Sequence, residues 1–254
     1  MGTQDLLNSI REAGVIGAGG AGFPTYKKLE AQVSQIIVNG AECEPLLQKD
    51  RESMLQDHAA MFRGLEVMQQ LTGASRVTIA VKRKNADVLD LMSDAVASHN
   101  YETFIYEDVY PAGDEYCLVY EITGRQIPPG GLPLDVDCVV DNCETIINIG
   151  RAVEGTPVTQ KYMTITGAVQ NPLTTRVPVG ISFGECLEAA GGCTTDDPVM
   201  LVSGVMMGGV STNVADTVTK TTAGLIVLPS DHYLVRRKSA SQETYTRIGH
   251  GQCD

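Results

Sequence analysis

The glycine-rich segment GAGGAGFPT, at residues 17–25, has the residue spacing in this sequence that most clearly points to ligand chemistry. Small residues let a backbone turn sharply with its N–H groups bare, so such a loop can lie directly against a phosphate or a flat ring. Phe23 and Pro24 stiffen the exit of the loop, and Lys28 follows with a positive charge. The segment predicts a nucleotide cradle, with a plain glycine-rich surface turn as the alternative.

The same segment contains the G-x-G-x-x-G spacing of a dinucleotide-binding loop, at Gly17, Gly19 and Gly22. An ordinary Rossmann loop of this kind follows a buried strand. Residues 5–14, however, repeat apolar side chains at helical spacing and so predict a helix before the loop. We therefore expect a nucleotide cradle of a different kind.

Three further clusters of polar residues follow along the chain, and each also has a purely structural interpretation. Residues 39–45, NGAECEP, follow the first strong strand, where α/β folds place ligands, and a solvated acidic turn is the alternative. Residues 110–115, YPAGDE, offer a tyrosine for ring stacking and two acids that could simply favour a helix N-terminus. Residues 141–145, DNCET, again follow a strand, and Asn142 could be a helix N-cap.

Other catalytic chemistry finds little support in the sequence. No nucleophilic triad is visible, and the histidines lie in no metal-ligand spacing, so we predict neither a catalytic side chain nor a metal site. The seven cysteines are an odd set without C-x-x-C pairs, as expected for mostly reduced thiols of a cytoplasmic protein.

Composition narrows the class of protein and its partners. The 254 residues carry a formal net charge of -12, which argues against nucleic acid and anionic membranes as partners. No apolar run approaches the roughly 18 residues of a membrane span, and the first residues lack the features of a signal peptide. We expect a cytoplasmic protein with neither a nucleic-acid partner nor a membrane span.

The elements that must position the clusters form two patterns. Residues 1–155 alternate strands with helices, which predicts an α/β domain with a largely parallel sheet. Residues 160–230 place one short helix, opened by a capping box at Ser182, among several strands, which predicts a small β-grasp domain. Residues 231–254 are polar and predict a loose tail. The strands are expected at 35–39, 77–81, 103–106, 138–141, 162–166, 176–179, 199–203 and 225–228.

The order of the four clusters resembles a known superfamily. The glycine-rich loop, N-x-x-E-x-E-P, Y-x-x-G-[DE]-E and N-x-E-T recur in this order in the FMN- and NADH-binding subunit of respiratory complex I and in RnfC subunits of ion-pumping ferredoxin oxidoreductases. Residues 10–150 resemble this flavin domain, and residues 160–230 resemble the SLBB domain that follows it. The loop sequences look most similar to RnfC-like cobalamin reductases of propanediol-utilising microcompartments. The resemblance implies a Rossmann-like α/β domain followed by an α+β β-grasp domain.

The resemblance also implies a role for each matching position. The residues implied to hold FMN are Gly17, Gly19, Gly20, Lys28, Asn39, Glu42, Cys43, Tyr110, Gly113, Asp114, Asn142 and Thr145. Lys28 would neutralise the phosphate of FMN, and Asn142 and Thr145 would contact the phosphate end. Phe23 would stack on the nicotinamide or adenine of NADH, while Glu44 and Glu115 would bond to its ribose or carboxamide.

The implied function is an FMN-dependent NADH dehydrogenase module. Electrons would pass from NADH through FMN to 4Fe-4S clusters and on to an acceptor such as cobalamin or ferredoxin. The clusters are expected only in the full-length protein, because the tail ends about where the first cluster motif would begin. Implied partners are NADH, an electron-acceptor protein, cobalamin with its adenosyltransferase, and a microcompartment shell whose lumen could house the protein.

Two departures from the complex I pattern keep a second hypothesis open. Ala18 stands where complex I has an arginine, and Ala41 stands where it has an aspartate, and each change removes a polar contact. The NqrA subunit of the sodium-pumping quinone reductase keeps this fold without binding FMN in this way. The alternative function is a non-catalytic scaffold that has lost FMN and docks partners through the SLBB domain.

Overall fold

The structure, a computed structural model, describes residues 1–250 of the chain. The helix predicted before the glycine-rich loop is present as α1 (Thr3–Glu12), which buries Leu6 and Ile10. The loop then leads into a short helix, α2 (Thr25–Lys28). Because a helix rather than a strand precedes the loop, the loop is not an ordinary Rossmann turn, as predicted.

The predicted α/β layer is a four-stranded sheet with helices on both faces. Its elements are β1 (Gln35–Gly40), α3 (Lys49–Thr72), β2 (Arg76–Lys82), α4 (Ala86–Ser98), β3 (Glu102–Tyr106), α5 (Glu115–Thr123), β4 (Cys138–Asn142) and α6 (Cys143–Ala152). The strand order is β3-β2-β1-β4, and all neighbouring strands run parallel. The order reverses between β1 and β4, so the carboxyl ends of these two strands form a switch point, where open α/β sheets bind ligands.

The two faces of this sheet bury different helices. Helices α1, α3, α4 and α6 pack on one face, where the apolar side chains of Ile36 and Val38 point. Helix α5 packs on the other face, against Ile37 and Val140. Since side chains alternate along a strand, the continuous apolar runs of β1 and β4 are what a sheet covered on both faces requires.

The second sheet is mixed and carries one helix. Its elements are β5 (Gln160–Gly167), β6 (Leu173–Pro178), α7 (Phe183–Ala189), β7 (Pro198–Val202), β8 (Gly209–Ser211) and β9 (Gly224–Pro229). The order is β6-β5-β9-β7-β8, with β5 and β9 parallel and the other pairs antiparallel. The predicted capping box opens α7, since Glu185 N donates to Ser182 Oγ at 3.2 Å and Ser182 N donates to Glu185 Oε2 at 3.0 Å. The β-grasp expectation is confirmed.

Some elements differ from the expectation. Strand β6 begins at Leu173 rather than residue 176, and the short strand β8 was not predicted. Beyond Pro229 the chain forms α8 (Tyr233–Lys238) and α9 (Gln242–His250) instead of a loose segment. Lys238 explains part of this order, because its Nζ donates to the carbonyl oxygens of the loop before β8. The domain limits stay predictions, and the end of the predicted tail, residues 251–254, lies outside the described residues.

The two sheets are joined by apolar and polar contacts. Leu47, which precedes α3, packs with Leu201, Ala223 and Ile226 of the second sheet. The N–H of the next residue donates to Thr164 Oγ1 at 3.0 Å. These contacts hold the second sheet beside the carboxyl end of β1. No helix within residues 1–250 combines the length and apolar character that crossing a bilayer requires.

Candidate functional site

A cavity of about 320 Å³ opens at the carboxyl ends of β1 and β4. All of the residues predicted to contact FMN or NADH line it, except Glu42 and Glu44. Those two carboxylates line a neighbouring cavity of about 540 Å³, which shares Asn39 and Cys43 with the first. The four sequence clusters therefore meet at one place, although their roles toward a ligand stay predictions.

The glycine-rich loop lines this cavity with residues whose backbone N–H groups are free within the described part of the chain. Gly17 N donates to Phe23 O at 2.9 Å, and Ala18 N donates to Thr145 Oγ1 at 2.9 Å, so the loop is tied at its base. Within the described part of the chain, the N–H groups of residues 19–21 have no hydrogen-bond partner. Gly20 has a φ of 134°, and a Cβ added there would meet nothing within 4 Å. The loop is thus an open set of donors suited to an anion or a ring edge.

The N-termini of two helices border the same cavity, and their caps use predicted site residues. Asp114 Oδ1 accepts from Tyr116 N at 2.9 Å, which caps α5. Asn142 Oδ1 accepts from Glu144 N at 3.1 Å, which caps α6. The structural interpretation of both residues therefore holds. A helix N-terminus carries partial positive charge, so α6 adds to the attraction of the loop for an anion.

Half-buried Lys28 and buried Asp141 form an ion pair at the cavity wall. Lys28 Nζ donates to Asp141 Oδ1 at 3.0 Å and to Val140 O at 2.7 Å. Within the described residues, Asp141 Oδ2 is buried and has no hydrogen-bond partner. Asp141 was not among the predicted site residues, although its position at the end of a buried strand was an available signal.

The pKa values of the charged groups in this wall follow from burial and from each other. Burial raises the pKa of the Asp141 carboxyl, and desolvation at the cavity wall also raises that of Glu115. Burial lowers the pKa of Lys28, but Asp141 and Glu115 raise it more, and the net direction is upward. Lys28 therefore keeps its charge, and Asp141 and Glu115 are the acids whose charges favour it.

Asn39 ties the second cluster to the third. Its Nδ2 donates to Gly113 O at 2.8 Å, and its Oδ1 accepts from Ala41 N at 3.2 Å. A Cβ added at Gly113 would lie 3.3 Å from Cys43 Sγ, so the chain approaches closely here. Burial raises the pKa of the Cys43 thiol, which keeps it neutral and unsuited to attack as a nucleophile.

Aromatic and thioether side chains form the exposed rim. Phe23 is 49% exposed, Tyr110 is 45% exposed, and Met207 is 79% exposed. Phe23 and Tyr110 were predicted to contact NADH and FMN, and both are free to stack on a ring. Met207 comes from the loop between β7 and β8, and no sequence motif pointed to it.

The carboxylates of Glu42 and Glu44 are engaged by backbone amides. Glu42 accepts from Lys49 N at 3.2 Å and from Asp50 N at 3.1 Å, at the start of α3. Burial, and then the charge of Asp50, raise the pKa of Glu42 to about 8. Glu44 accepts from Met206 N at 2.9 Å and from the next amide at 2.6 Å. These bonds use part of the acceptor capacity of each carboxylate, and both assignments stay predictions.

A network of buried charges lies beneath the glycine-rich loop. Glu144 forms ion pairs with Lys161 and, at 3.6 Å, with Lys49, which also pairs with Asp50. Lys161 Nζ donates in addition to Ala18 O at 3.3 Å. Sequence reasoning missed Lys161, and the only signal for it is a lysine inside the apolar pattern of β5.

Comparisons with known proteins agree with this architecture. The family model described as the Nuo51 FMN-binding domain matches residues 10–151, and that of the SLBB domain matches residues 162–211. Cobalamin reductase PduS of Salmonella typhimurium is 43% identical over 100% of this chain and 56% of its own length. A component of the proton-translocating ferredoxin:NAD(+) oxidoreductase complex of Clostridium ljungdahlii is 34% identical, over 90% of this chain and 51% of its own length. The chain thus spans about half the length of the curated relatives it matches.

A solved structure shares the fold. The NAD+-reducing [NiFe]-hydrogenase in the air-oxidized state superposes with a TM-score of 0.76, at 22% identity. The match covers 91% of this chain and 47% of the hydrogenase chain. At this identity the likeness establishes the fold, and the site must be interpreted from its own residues.

Proposed function

Because the chain belongs to the family of the Nuo51 FMN-binding domain, we propose that it binds FMN at the switch point between β1 and β4 and takes electrons from NADH there. The observation that carries this proposal is the set of N–H groups without a partner, within the described residues, at residues 19–21, which line the cavity beside the N-terminus of α6. Such donors suit a ligand that combines a phosphate with a polar ring.

The donor set of the cavity fits FMN. Gly20 faces open space and Gly113 approaches Cys43 closely, so neither position has a side chain that would fill the cavity. Asp141 Oδ2 is buried without a partner within the described residues, and it offers an acceptor to a ligand N–H or O–H. When bound, FMN supplies a ring that accepts a hydride from NADH and passes electrons on singly.

The protein's own residues bind and orient in this proposal. Lys28 compensates the phosphate charge, assisted by the N-terminus of α6. Phe23 offers its exposed ring to NADH, and Glu115, beside Lys28, accepts hydrogen bonds from its ribose or carboxamide. None of these steps needs a nucleophile or a general base on the protein, which agrees with the high pKa of the Cys43 thiol.

The identity of the electron acceptor is a separate and more specific proposal. The relative at 43% identity is a cobalamin reductase, and another relative belongs to a ferredoxin:NAD(+) oxidoreductase complex. We assign this chain the NADH-oxidising part of such a system, which delivers electrons through 4Fe-4S clusters to cobalamin or ferredoxin. Association with an adenosyltransferase, with a microcompartment shell and with its lumen belongs to the same proposal.

A scaffold without FMN is the second candidate function, and two contacts favour it. Lys28 is already paired with Asp141, and Glu44 is already engaged by Met206 and Met207. Under this alternative the second sheet docks a partner. The two candidate functions can be distinguished at Lys28, because the flavin function requires this paired lysine still to attract the phosphate of FMN.

An absorbance spectrum tests the proposal. The protein is mixed with FMN, desalted and scanned before and after anaerobic NADH, beside Lys28→Met and the control Lys84→Met, whose exposed lysine pairs with Asp108. Retained flavin that bleaches with NADH is expected, with clear loss of retention in Lys28→Met only. No retained flavin would favour the scaffold, and retained flavin that does not bleach would refute the NADH assignments.

A further inference from the structure

A buried lysine of the second sheet contacts the glycine-rich loop. Lys161 lies in β5, its side chain is 2% exposed, and its Nζ donates to Ala18 O at 3.3 Å. The backbone N–H of Ala18 is also held, because it donates to Thr145 Oγ1 at 2.9 Å. Ala18 is therefore fixed from one side by α6 and from the other by β5.

This contact acts on the donors of the cavity through the geometry of one peptide bond. The carbonyl of Ala18 and the N–H of Gly19 belong to the same planar trans unit, in which the two groups point in opposite directions. A cation that holds the carbonyl toward the protein interior consequently turns the N–H of Gly19 outward, where the cavity lies. The N–H groups of residues 20 and 21 come next in the chain, so their orientation depends on that of this peptide plane.

Contacts from the segment that precedes β9 reach the chain on both sides of Ala18. Lys220 Nζ donates to Gly14 O at 2.5 Å. A Cβ added at Gly22 would lie 3.2 Å from the methyl carbon of Thr221, so these two segments also touch. The chain is thus contacted before, at and after Ala18 by Lys161 of β5 and by the segment that precedes β9.

We propose that Lys161 is a positioning residue for the cofactor cradle, so that the second sheet sets the orientation of the N–H groups that bind FMN. This inference rests on the proposed flavin function. It assigns the second sheet a role in cofactor affinity, in addition to any partner that the sheet docks. Glu144 balances the buried charge of this arrangement, because it pairs with Lys161 inside the protein.

Variants at position 161 test the inference. Lys161→Met removes the donor but leaves Glu144 with one cation fewer, so Lys161→Met/Glu144→Gln is made beside it to keep the buried charge balanced. Arg176→Met is the matched control, since Arg176 also joins the second sheet to α3, through Asp57 at 4.0 Å, but has no hydrogen bond or ion pair with the loop. The dissociation constant of FMN is measured by quenching of flavin fluorescence.

We expect the FMN dissociation constant to rise about tenfold in both Lys161 variants, as for the loss of a hydrogen bond to a charged group. It should stay within about twofold of the wild type in Arg176→Met. An unchanged affinity in the double variant, or an equal loss in Arg176→Met, would overturn the inference. If Lys161→Met does not fold, the charge-balanced double variant decides.

Hydrogen exchange separates this inference from the flavin proposal, because it needs no ligand. The protected N–H groups of Gly17, Ala18 and Gly22 should exchange faster in both Lys161 variants and at an unchanged rate in Arg176→Met. If the wild type binds no FMN, the flavin function fails, while faster exchange confined to this loop still supports the positioning by Lys161. Exchange equal to the wild type would refute it.

Discussion

Lys28 and Asp141 show how single residues divide their roles between structure and ligand. The lysine was expected to meet a phosphate, yet it already donates to Asp141 and to Val140 O. Asp141 therefore neutralises part of its charge. The backbone N–H donors contribute more to the attraction for an anion than the sequence motif suggested. The same holds for Asp114 and Asn142, whose side chains cap helices at the edge of the cavity.

Glu115→Ala is expected to raise the KM for NADH more than about tenfold, because a carboxylate that accepts hydrogen bonds from the ribose or carboxamide would be lost. Initial rates with an artificial acceptor measure this effect on the FMN-loaded protein. Glu121→Ala, an exposed acid on the same helix, serves as the control. An unchanged KM would remove Glu115 from the NADH site.

Glu42→Gln is expected to flatten the dependence of stability on pH. An unfolded glutamate has a pKa of about 4.3, while burial raises that of Glu42 to about 8, so the folded state holds an extra proton between these values. Stability should therefore fall as pH rises through this window, by on the order of 1–3 kcal/mol in the wild type.

Urea denaturation at about pH 5 and about pH 8 measures this difference. Glu188→Gln, at an exposed position of α7, should keep the slope of the wild type. If Glu42→Gln loses as much stability between these two pH values as the wild type does, other groups cause the loss.

At the scale of elements, the close contact of α3 with α6 decides where the N-terminus of α6 lies. Glycine makes this approach possible, since a Cβ at Gly64 would collide with the carbonyl oxygen of Ile146, and one at Gly150 with that of Ala60. The helices were expected from periodicity and caps. Their approach could not be, because a glycine inside a helix does not reveal which backbone lies opposite.

Gly150→Ala is expected to destabilise the protein by about 3 kcal/mol, because the added carbon must push two helices apart. The sign is informative, since the same change at a free helical position would stabilise by about 1 kcal/mol. Urea unfolding measures the difference, with Gly209→Ala as the control, where an added Cβ meets nothing within 4 Å. A stability equal to the wild type would contradict the close contact.

At the scale of the whole molecule, the two sheets act as one support for the cavity. Leu47 packs into the second sheet, Glu44 binds the amides of the loop before β8, and Lys161 reaches the glycine-rich loop. The cavity rim therefore contains Met207, a residue of the second sheet's loop. Cofactor affinity and the packing of the sheets are expected to vary together.

Leu47→Ala is expected to cost about 2–4 kcal/mol of unfolding free energy, because Leu47 is 6% exposed and lies between the sheets. FMN affinity should fall with it, since the second sheet would hold the loop less firmly. Denaturant titration and flavin binding measure the two effects. Leu91→Ala, at an exposed position of α4, is the control. A loss below about 1 kcal/mol would mean that the sheets are joined elsewhere.

The sequence by itself determined the local elements and the chemical character of the clusters. Apolar periodicity predicted the four parallel strands and the helix before the loop, and the spacing of Ser182 and Glu185 predicted the capping box, because these features depend on neighbours a few residues away. The order of the motifs pointed to the family. The resemblance to that family also named thirteen of the residues that line the cavity at the ends of β1 and β4.

Only the tertiary structure decided which of these groups are free to bind a ligand. The engagement of Glu44 by Met206, the pairing of Lys28 with Asp141 and the contact of Lys161 with Ala18 join residues more than 100 positions apart. The contacts of Glu44 and Lys161 depend on how two separately patterned sheets pack, and the pair of Lys28 with Asp141 depends on where α2 lies against the end of β4. The sequence of a strand does not reveal which residue its lysine contacts. Packing of the sheets turned a glycine-rich segment into an oriented set of donors.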